Sequence, residues 1–282
     1  MAEIKLSIEQ IFPIIARANI SKIIVIGCGG TGSFYIRDMA RLVSSLKYKP
    51  EILLVDGDVV ESKNLIRQNF VSVDIGKNKA DVQAGRYGGL GVKMAFRGEY
   101  LASKDQLKEM GGTFENVLLV SCVDNIKTRL LIREALAEVT PAQMFWIDCG
   151  NEEESGQVIL SVKSGTWVAD TIKAGLYPTP DVFDLYPELI ERAQKDKLPT
   201  EMNCAEMAVA SPQFGFVNGT AAMLAINFTH RLLTQGQIKV YESCFSIDNR
   251  FSHKTTSLST LKSWVGTFKP FTDVNLENLE KK

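Results

Sequence analysis

The chain has 282 residues, 45% hydrophobic and 23% charged, with 32 Lys and Arg against 33 Asp and Glu for a formal net charge of -1. That length allows one large domain or two small ones with a substantial core. The charge balance argues against a generic nucleic-acid or membrane-surface role, since both want a basic excess.

In chain order, Ser7 reads as the N-cap of a short helix over residues 7–18, interrupted near Pro13. Lys22-Ile23-Ile24-Val25-Ile26 is a continuous β-branched run, the mark of a strand buried on both faces of a parallel sheet. After the glycines that follow it, Ser33 to Leu46 is predicted helical, and Glu51 to Val55 a second strand. Gly76 to Arg86 reads as helix and Val92 to Phe96 as a short third strand. Val117 to Cys122 is a fourth buried strand, Asn125 to Glu138 a helix, and Met144 to Cys149 a fifth strand. This alternation predicts an α/β fold, a doubly wound, Rossmann-like and mostly parallel sheet, with ligand beyond the carboxyl ends of its strands. From Gln157 to Val162 the pattern changes to strands that extend the sheet antiparallel. Residues 165–205 carry Pro178, Pro180, Pro187 and Pro199, with a short helix over Glu188 to Lys195, and read as a long functional loop. Phe214 to Leu233 is one long apolar helix and Lys239 to Ile247 a strand. The last dozen residues read as a frayed tail.

No apolar run approaches the roughly 18 residues that span a bilayer. Met1-Ala2-Glu3-Ile4-Lys5 lacks a signal-peptide pattern, so the expected location is the cytoplasm. The five cysteines, Cys28, Cys122, Cys149, Cys204 and Cys244, form no CxxC pair, and no structural zinc is expected.

Gly27-Cys28-Gly29-Gly30-Thr31-Gly32 follows the first buried strand and opens a helix. Gly27, Gly29, Gly30 and Gly32 allow a tight turn and let backbone N–H groups approach phosphate. Asp56, ending the second strand, suits the ribose hydroxyls. Asp58 reads equally as a site residue or a turn cap. Arg67 and Lys79, with Asn64 and Gln68 nearby, suit the charge of β- and γ-phosphates and leave the α-phosphorus open to attack. A redox dinucleotide has no use for that set. Lys77 is expected in solvent. Asp124 reads as a Mg²⁺ ligand or as the N-cap of the helix after it, two roles that are compatible. Arg129 reads as a structural residue. Cys204, ahead of the long apolar helix, has an inert packing reading beside that of a nucleophile at a helix start. His230 and His253 receive no catalytic role.

The motifs GCGGTG (27–32), VDGDVVESKNLIRQNF (55–70), DIGKNKADV (74–82) and SCVDNIKTR (121–129), in this order, resemble those of the ThiF/MoeB superfamily, whose fold ubiquitin-activating enzymes share. WIDCGN (146–151), with Leu185-Tyr186-Pro187-Glu188-Leu189 and Cys204-Ala205-Glu206, is more narrowly similar to the ThiF-related member of the bacterial PRTRC cassette. The resemblance implies a single adenylation domain over 1–282. Within it lie an N-terminal helix (1–20), a nucleotide-binding core (21–163), a crossover loop (164–205), a C-terminal helix and strands (206–265) and a tail (266–282). It also implies ATP and Mg²⁺ as cofactors, with ATP held by the four glycines, Asp56, Asp58, Asn64, Arg67, Gln68, Lys79, Asp124 and Asn125, and with Asp124 as the magnesium ligand. The implied activity is adenylation of the C-terminal carboxylate of a small ubiquitin-like (β-grasp) protein, with Arg67, Lys79 and Asp124 catalytic and Cys204 placed to take a thioester. Implied partners are that protein, a conjugating-enzyme-like protein and a second copy in a homodimer; no membrane or nucleic-acid partner is implied. The alternatives are adenylation of a non-protein carboxylate, as in tRNA-modifying relatives, and a non-catalytic partner subunit.

Overall fold

The computed structural model describes residues 14–15, 20–114, 117–139, 144–163, 179–202, 214–248, 250–255, 260 and 263. The strands are β1 (Ile14–Ile15), β2 (Lys22–Ile26), β3 (Glu51–Val55), β4 (Met94–Arg97), β5 (Val117–Ser121), β6 (Met144–Asn151), β7 (Ser155–Lys163), β8 (Gln237–Ile238), β9 (Val240–Ser246) and β10 (Arg250–Thr255). The helices are α1 (Gly30–Ser45), α2 (Lys79–Gly88), α3 (Lys104–Gly111), α4 (Ile126–Ala137), α5 (Val182–Leu185), α6 (Glu188–Lys195) and α7 (Gly215–Thr234).

One sheet carries the order β10-β9-β7-β6-β5-β2-β3-β4, and β1 pairs with β8 apart from it. Strands β6, β5, β2, β3 and β4 run parallel, while β7, β9 and β10 extend the sheet antiparallel. The α/β, mostly parallel sheet expected from the sequence is therefore present, with its antiparallel extension.

Apolar runs become central strands here because both faces are covered. In β2, Ile23 and Val25 pack with Tyr35, Ile36 and Met39 of α1, Ala84 of α2 and Val217 and Ala221 of α7. The alternate residues Ile24 and Ile26 pack on the other face with Leu107 of α3, Ile132 and Ala135 of α4, Phe183 of α5 and Ala193 of α6. This period-two division puts α1, α2 and α7 on one face and α3 to α6 on the other. The chain leaves β2 toward β3 on one side and reaches β5 on the other, so their carboxyl ends diverge into a crevice.

Several boundaries differ from the sequence reading. Ile14–Ile15 pair with Gln237 and Ile238 as strand, not helix. Apart from Ile20, the rest of 1–20 lies outside the described residues. Helix α1 begins at Gly30, inside the glycine turn, rather than at Ser33. Helix α3, a segment to which the sequence analysis assigns no element, has Ser103 as its N-cap, accepting from the Gln106 N–H at 3.2 Å. Strand β10 was also unassigned; its residues are nearly all exposed, so it carries no alternating burial signal.

Helix α1 crosses the end of β2 closely. A Cβ on Gly32 would stand 1.9 Å from the Gly27 carbonyl oxygen. Gly27 itself has φ +89°, a left-handed conformation that glycine adopts freely. Gly32→Ala is therefore expected to push α1 off the sheet and cost about 2 kcal/mol or more, read as a lower urea midpoint with unchanged m-value.

Candidate functional site

A cleft of about 440 Å³ opens at the carboxyl ends of β2, β3 and β5. Gly27, Gly29 and Gly30 line it, with Asp56, Asp58, Asn64, Arg67, Gln68, Lys79, Asp124 and Asn125. Eleven of the twelve residues singled out from sequence thus meet in one place. The twelfth, Gly32, does not line it, because its missing Cβ makes room for the Gly27 carbonyl behind the turn.

Helix α1 points its N-terminus at the cleft. Gly29 occupies the N-cap with no side-chain cap, and the first turn holds no acid. The N–H groups of Gly30, Thr31 and Gly32 have no acceptor among the described residues. Free N–H groups and the positive end of the macrodipole together form an anion site. Gln68 faces the same turn, its amide nitrogen 3.5 Å from where a Cβ on Gly29 would lie. The Gln68 Oε1 is buried without a hydrogen-bond partner among the described residues.

The acids after β3 divide their work. Asp56 is buried, and its two oxygens accept the backbone N–H groups of Cys28 at 2.6 Å and Asp58 at 2.8 Å. Burial pushes its carboxyl up to about 6, although the Lys79 charge and these N–H donors pull the other way. Asp58 is neither buried nor a turn cap. Its carboxylate accepts from Lys79 Nζ at 2.7 Å and from the Tyr100 hydroxyl. Burial raises the Asp58 carboxyl, but Lys79 and the two hydrogen bonds outweigh that and hold it below the usual carboxylate range. Lys79, the first residue of α2, is 6% exposed. Asn78 caps that helix through Asp81 N and donates to the carbonyls of Asp56 and Asp58 at 2.8 and 3.1 Å. Asn64 is buried, its Oδ1 accepting from Glu61 N at 2.8 Å, and Arg67 is half-buried in the turn that follows. Lys77 is exposed, as expected.

Asp124 is exposed in the cleft, and no described residue binds its carboxylate. The N-cap of α4 is Asn125, not Asp124; Asn125 Oδ1 accepts from Thr128 N at 2.8 Å and its Nδ2 donates to the Lys197 carbonyl at 2.6 Å. The Asn125 amide is thereby committed within the protein. Arg129 is buried, donating to the carbonyls of Val123 at 2.9 Å and Cys149 at 2.8 Å, with its Nε 3.6 Å from Asp148 Oδ1. It braces the loop that carries Asp124 and does not pair with that acid, in keeping with its structural reading.

Among the lining residues that had no place in the sequence-derived site are Thr31, Tyr100, Asn151 and Asn218. Tyr100 packs where a Cβ on Gly57 would come within 2.5 Å of its ring. An isolated aromatic after β4 carries no local signal for that contact. Asn151 Nδ2 donates to Asn218 Oδ1 at 2.6 Å, and Thr31 Oγ1 lies 3.2 Å from Asn151 Oδ1 and 3.3 Å from Asn218 Oδ1. A polar residue inside a long apolar helical run, as at Asn218, was the one available hint.

Cys28 and Cys149 are buried, and their thiols lie well above the ordinary range; burial dominates for Cys28, and contact with Cys122 together with burial for Cys149. Cys204 lies outside the described residues, ahead of α7, whose first residue is Gly215. Among the described residues no cluster of three or more His, Cys, Asp or Glu side chains could hold a metal, and no helix is long and apolar enough to cross a membrane.

A family model described as the ThiF family matches residues 14–263. The structure of E. coli MccB with ATP is similar at 16% identity and a TM-score of 0.58, over 85% of this chain and 64% of that one. PaaA is similar at 18% identity and a TM-score of 0.57, over 85% and 74%. E. coli MccB with AMPCPP and MccA is similar at 16% identity and a TM-score of 0.57, over 84% and 64%. The chain thus spans a little under two thirds of the MccB chain's length, and at these identities the likeness establishes the fold. A search of curated proteins gives no match.

The Lys79–Asp58 pair makes stability depend on pH. The Asp56 carboxyl, raised to about 6, contributes stability below the ordinary carboxylate range and loses it as pH rises through that value. Lys79→Met removes the charge that restrains both acids. Because Asp58 keeps nearly half its side chain in water, the loss at about pH 8 is expected to be about 1–3 kcal/mol rather than the full cost of breaking a buried pair. Urea midpoints of variant and parent should draw closer as pH falls through about 6, where Asp56 takes up its proton, and meet only below the ordinary carboxylate range, where Asp58 takes up its own.

Proposed function

The chain belongs to the ThiF family, and from that premise we propose that it is an ATP-dependent adenylyltransferase that activates a carboxylate. One observation carries this reading: the α1 N-terminus, Arg67, Lys79 and Asp124, whose carboxylate has no partner among the described residues, line a single cleft. Support also comes from the neighbour of the same fold, E. coli MccB, solved with ATP.

The donor set fits a nucleoside triphosphate. Phosphate oxygens take the N–H groups of Gly30 and Thr31 and the cations of Arg67 and Lys79. The ribose hydroxyls meet Asp56 and Asp58. Each Asp56 oxygen already accepts one backbone N–H, and a carboxylate oxygen takes a second donor. Asp124 would hold a magnesium ion, which when bound neutralises phosphate charge; one carboxylate plus substrate phosphates is the usual way that ion is kept. In the reaction a substrate carboxylate oxygen attacks the α-phosphorus, the α–β phosphoanhydride bond breaks, and pyrophosphate leaves with its charge met by Arg67 and Lys79. To reach it, Lys79 exchanges Asp58 for phosphate.

The carboxylate in this proposal is the C-terminus of a small ubiquitin-like, β-grasp protein, of the kind found beside ThiF-related members of the PRTRC cassette. The enzyme works as a homodimer in the cytoplasm and hands its product to a conjugating-enzyme-like partner. E. coli MccB, solved with both AMPCPP and MccA, lends the reading support. The Cys204 thiolate then attacks the acyl carbon, AMP leaves, and a thioester forms.

Labelled pyrophosphate should exchange into ATP in the presence of the β-grasp partner, and Asp124→Ala should slow that exchange by about a hundredfold or more. Exchange at the parental rate in Asp124→Ala removes the role given to Asp124. Cys204→Ser should keep the exchange and lose a thiol-sensitive adduct with the partner, seen on a non-reducing gel; an adduct that survives in that variant rules Cys204 out as acceptor.

A further inference from the structure

Asn218 stands out in an otherwise apolar stretch of α7. Its neighbours Val217, Ala221, Ala222 and Ala225 are packed in the core, and Asn218 itself is 0% exposed. A carboxamide buried this deeply is costly unless each polar atom is satisfied. Asn218 satisfies its own on three other segments. Its Oδ1 accepts from Asn151 Nδ2 at 2.6 Å and lies 3.3 Å from Thr31 Oγ1 in the first turn of α1. Its Nδ2 donates to the carbonyl oxygen of Arg67 at 3.2 Å.

The surrounding backbone is shaped to that amide. A Cβ on Gly30 would come within 2.8 Å of both its nitrogen and its oxygen. The absence of a side chain at Gly30 therefore makes room for Asn218 as well as for any ligand. One turn earlier, a Cβ on Gly215 would lie 3.4 Å from the Ile66 carbonyl oxygen and 3.5 Å from Arg67 Cα, so the start of α7 sits directly on the same turn. The Arg67 backbone is held from both sides, its N–H donating to the Asn64 carbonyl at 3.1 Å and its own carbonyl accepting from Asn218.

We propose that Asn218 is a positioning residue for the phosphate end of the cleft, a spacer that fixes the backbone of Arg67 against the Gly30–Thr31 turn so that the guanidinium and the α1 N-terminus converge on one triphosphate. This rests on the adenylation reading. It also gives α7, the helix after the segment that holds Cys204, a direct mechanical link to a phosphate-binding side chain.

A structural asparagine and a positioning one differ in how their loss combines with the loss of Arg67. Asn218→Leu is close in shape, carries no charge toward the phosphates, and cannot donate to the Arg67 carbonyl. ATP dissociation constants are measured by calorimetry for the full chain, Asn218→Leu, Arg67→Ala and the double variant. The expected result is about tenfold or greater weakening in Asn218→Leu, with under about twofold further weakening when the same change is made in Arg67→Ala. Losses that multiply across the two sites, or an ATP affinity unchanged in Asn218→Leu, overturn the positioning role. If the leucine variant does not fold, Asn218→Ser, smaller and still polar, enters the same cycle with the same criteria. A parent chain that binds no ATP removes the adenylation reading instead, so the two failures are distinguishable.

Discussion

A lysine buried at the first position of a helix is electrostatically misplaced twice, once by loss of water and once by the positive end of the macrodipole. Lys79 is tolerated there because Asp58 meets it at 2.7 Å, with Asp56 close enough to feel its charge. Those acids are held in turn by backbone. Asp56 takes the N–H of Cys28 from the glycine turn, and Asn78 ties the carbonyls of Asp56 and Asp58 to the start of α2. The pair therefore binds the ends of β2 and β3 and the head of α2 into one polar assembly, and the rest of the cleft is arranged around it.

The assembly is placed by sheet topology. Parallel strands put all their carboxyl ends on one edge, and the divergence of β3 and β5 from β2 leaves a crevice that side chains do not fill. Close backbone approach at Gly27, Gly30 and Gly32 then brings α1 to the rim of that crevice with its first N–H groups unspent among the described residues. Arg129, under the loop that carries Asp124, does the corresponding work on the β5 side by holding the carbonyls of Val123 and Cys149 together. Cation, anion site and acid are thus supplied by three different segments, each secured by hydrogen bonds to its neighbours.

Membership of the ThiF family and the fold shared with MccB and PaaA bound the chemistry without choosing the substrate. A fold of this kind hosts more than one acceptor, and the choice lies with whatever meets the mouth of the cleft. On the described residues that mouth includes Pro199, whose segment is joined to α4 through the Asn125 amide. The residues that follow, from Asn203 to Gln213, carry Cys204 and lie outside the described residues.

How much of this was legible in the chain follows from the range of the interactions. The doubly wound sheet, the glycine turn and the gathering of Asp56, Asn64, Arg67, Gln68, Lys79 and Asp124 were all readable. Strand burial and turn chemistry are written in consecutive residues, and strand order then brings the carboxyl ends together. The β1 strand, where helix periodicity had suggested otherwise, depends on pairing with Ile238 more than two hundred residues away. Asp58 as the partner of Lys79 rather than a turn cap, Tyr100 over Gly57, Asn125 rather than Asp124 as helix cap, and the Asn218 junction were decided only by the tertiary structure. Apart from the cap, a local bond from Thr128 N to Asn125 Oδ1, each is a contact between segments distant in sequence, and a side chain's donors and acceptors do not specify which of many possible partners the packed core will deliver to them.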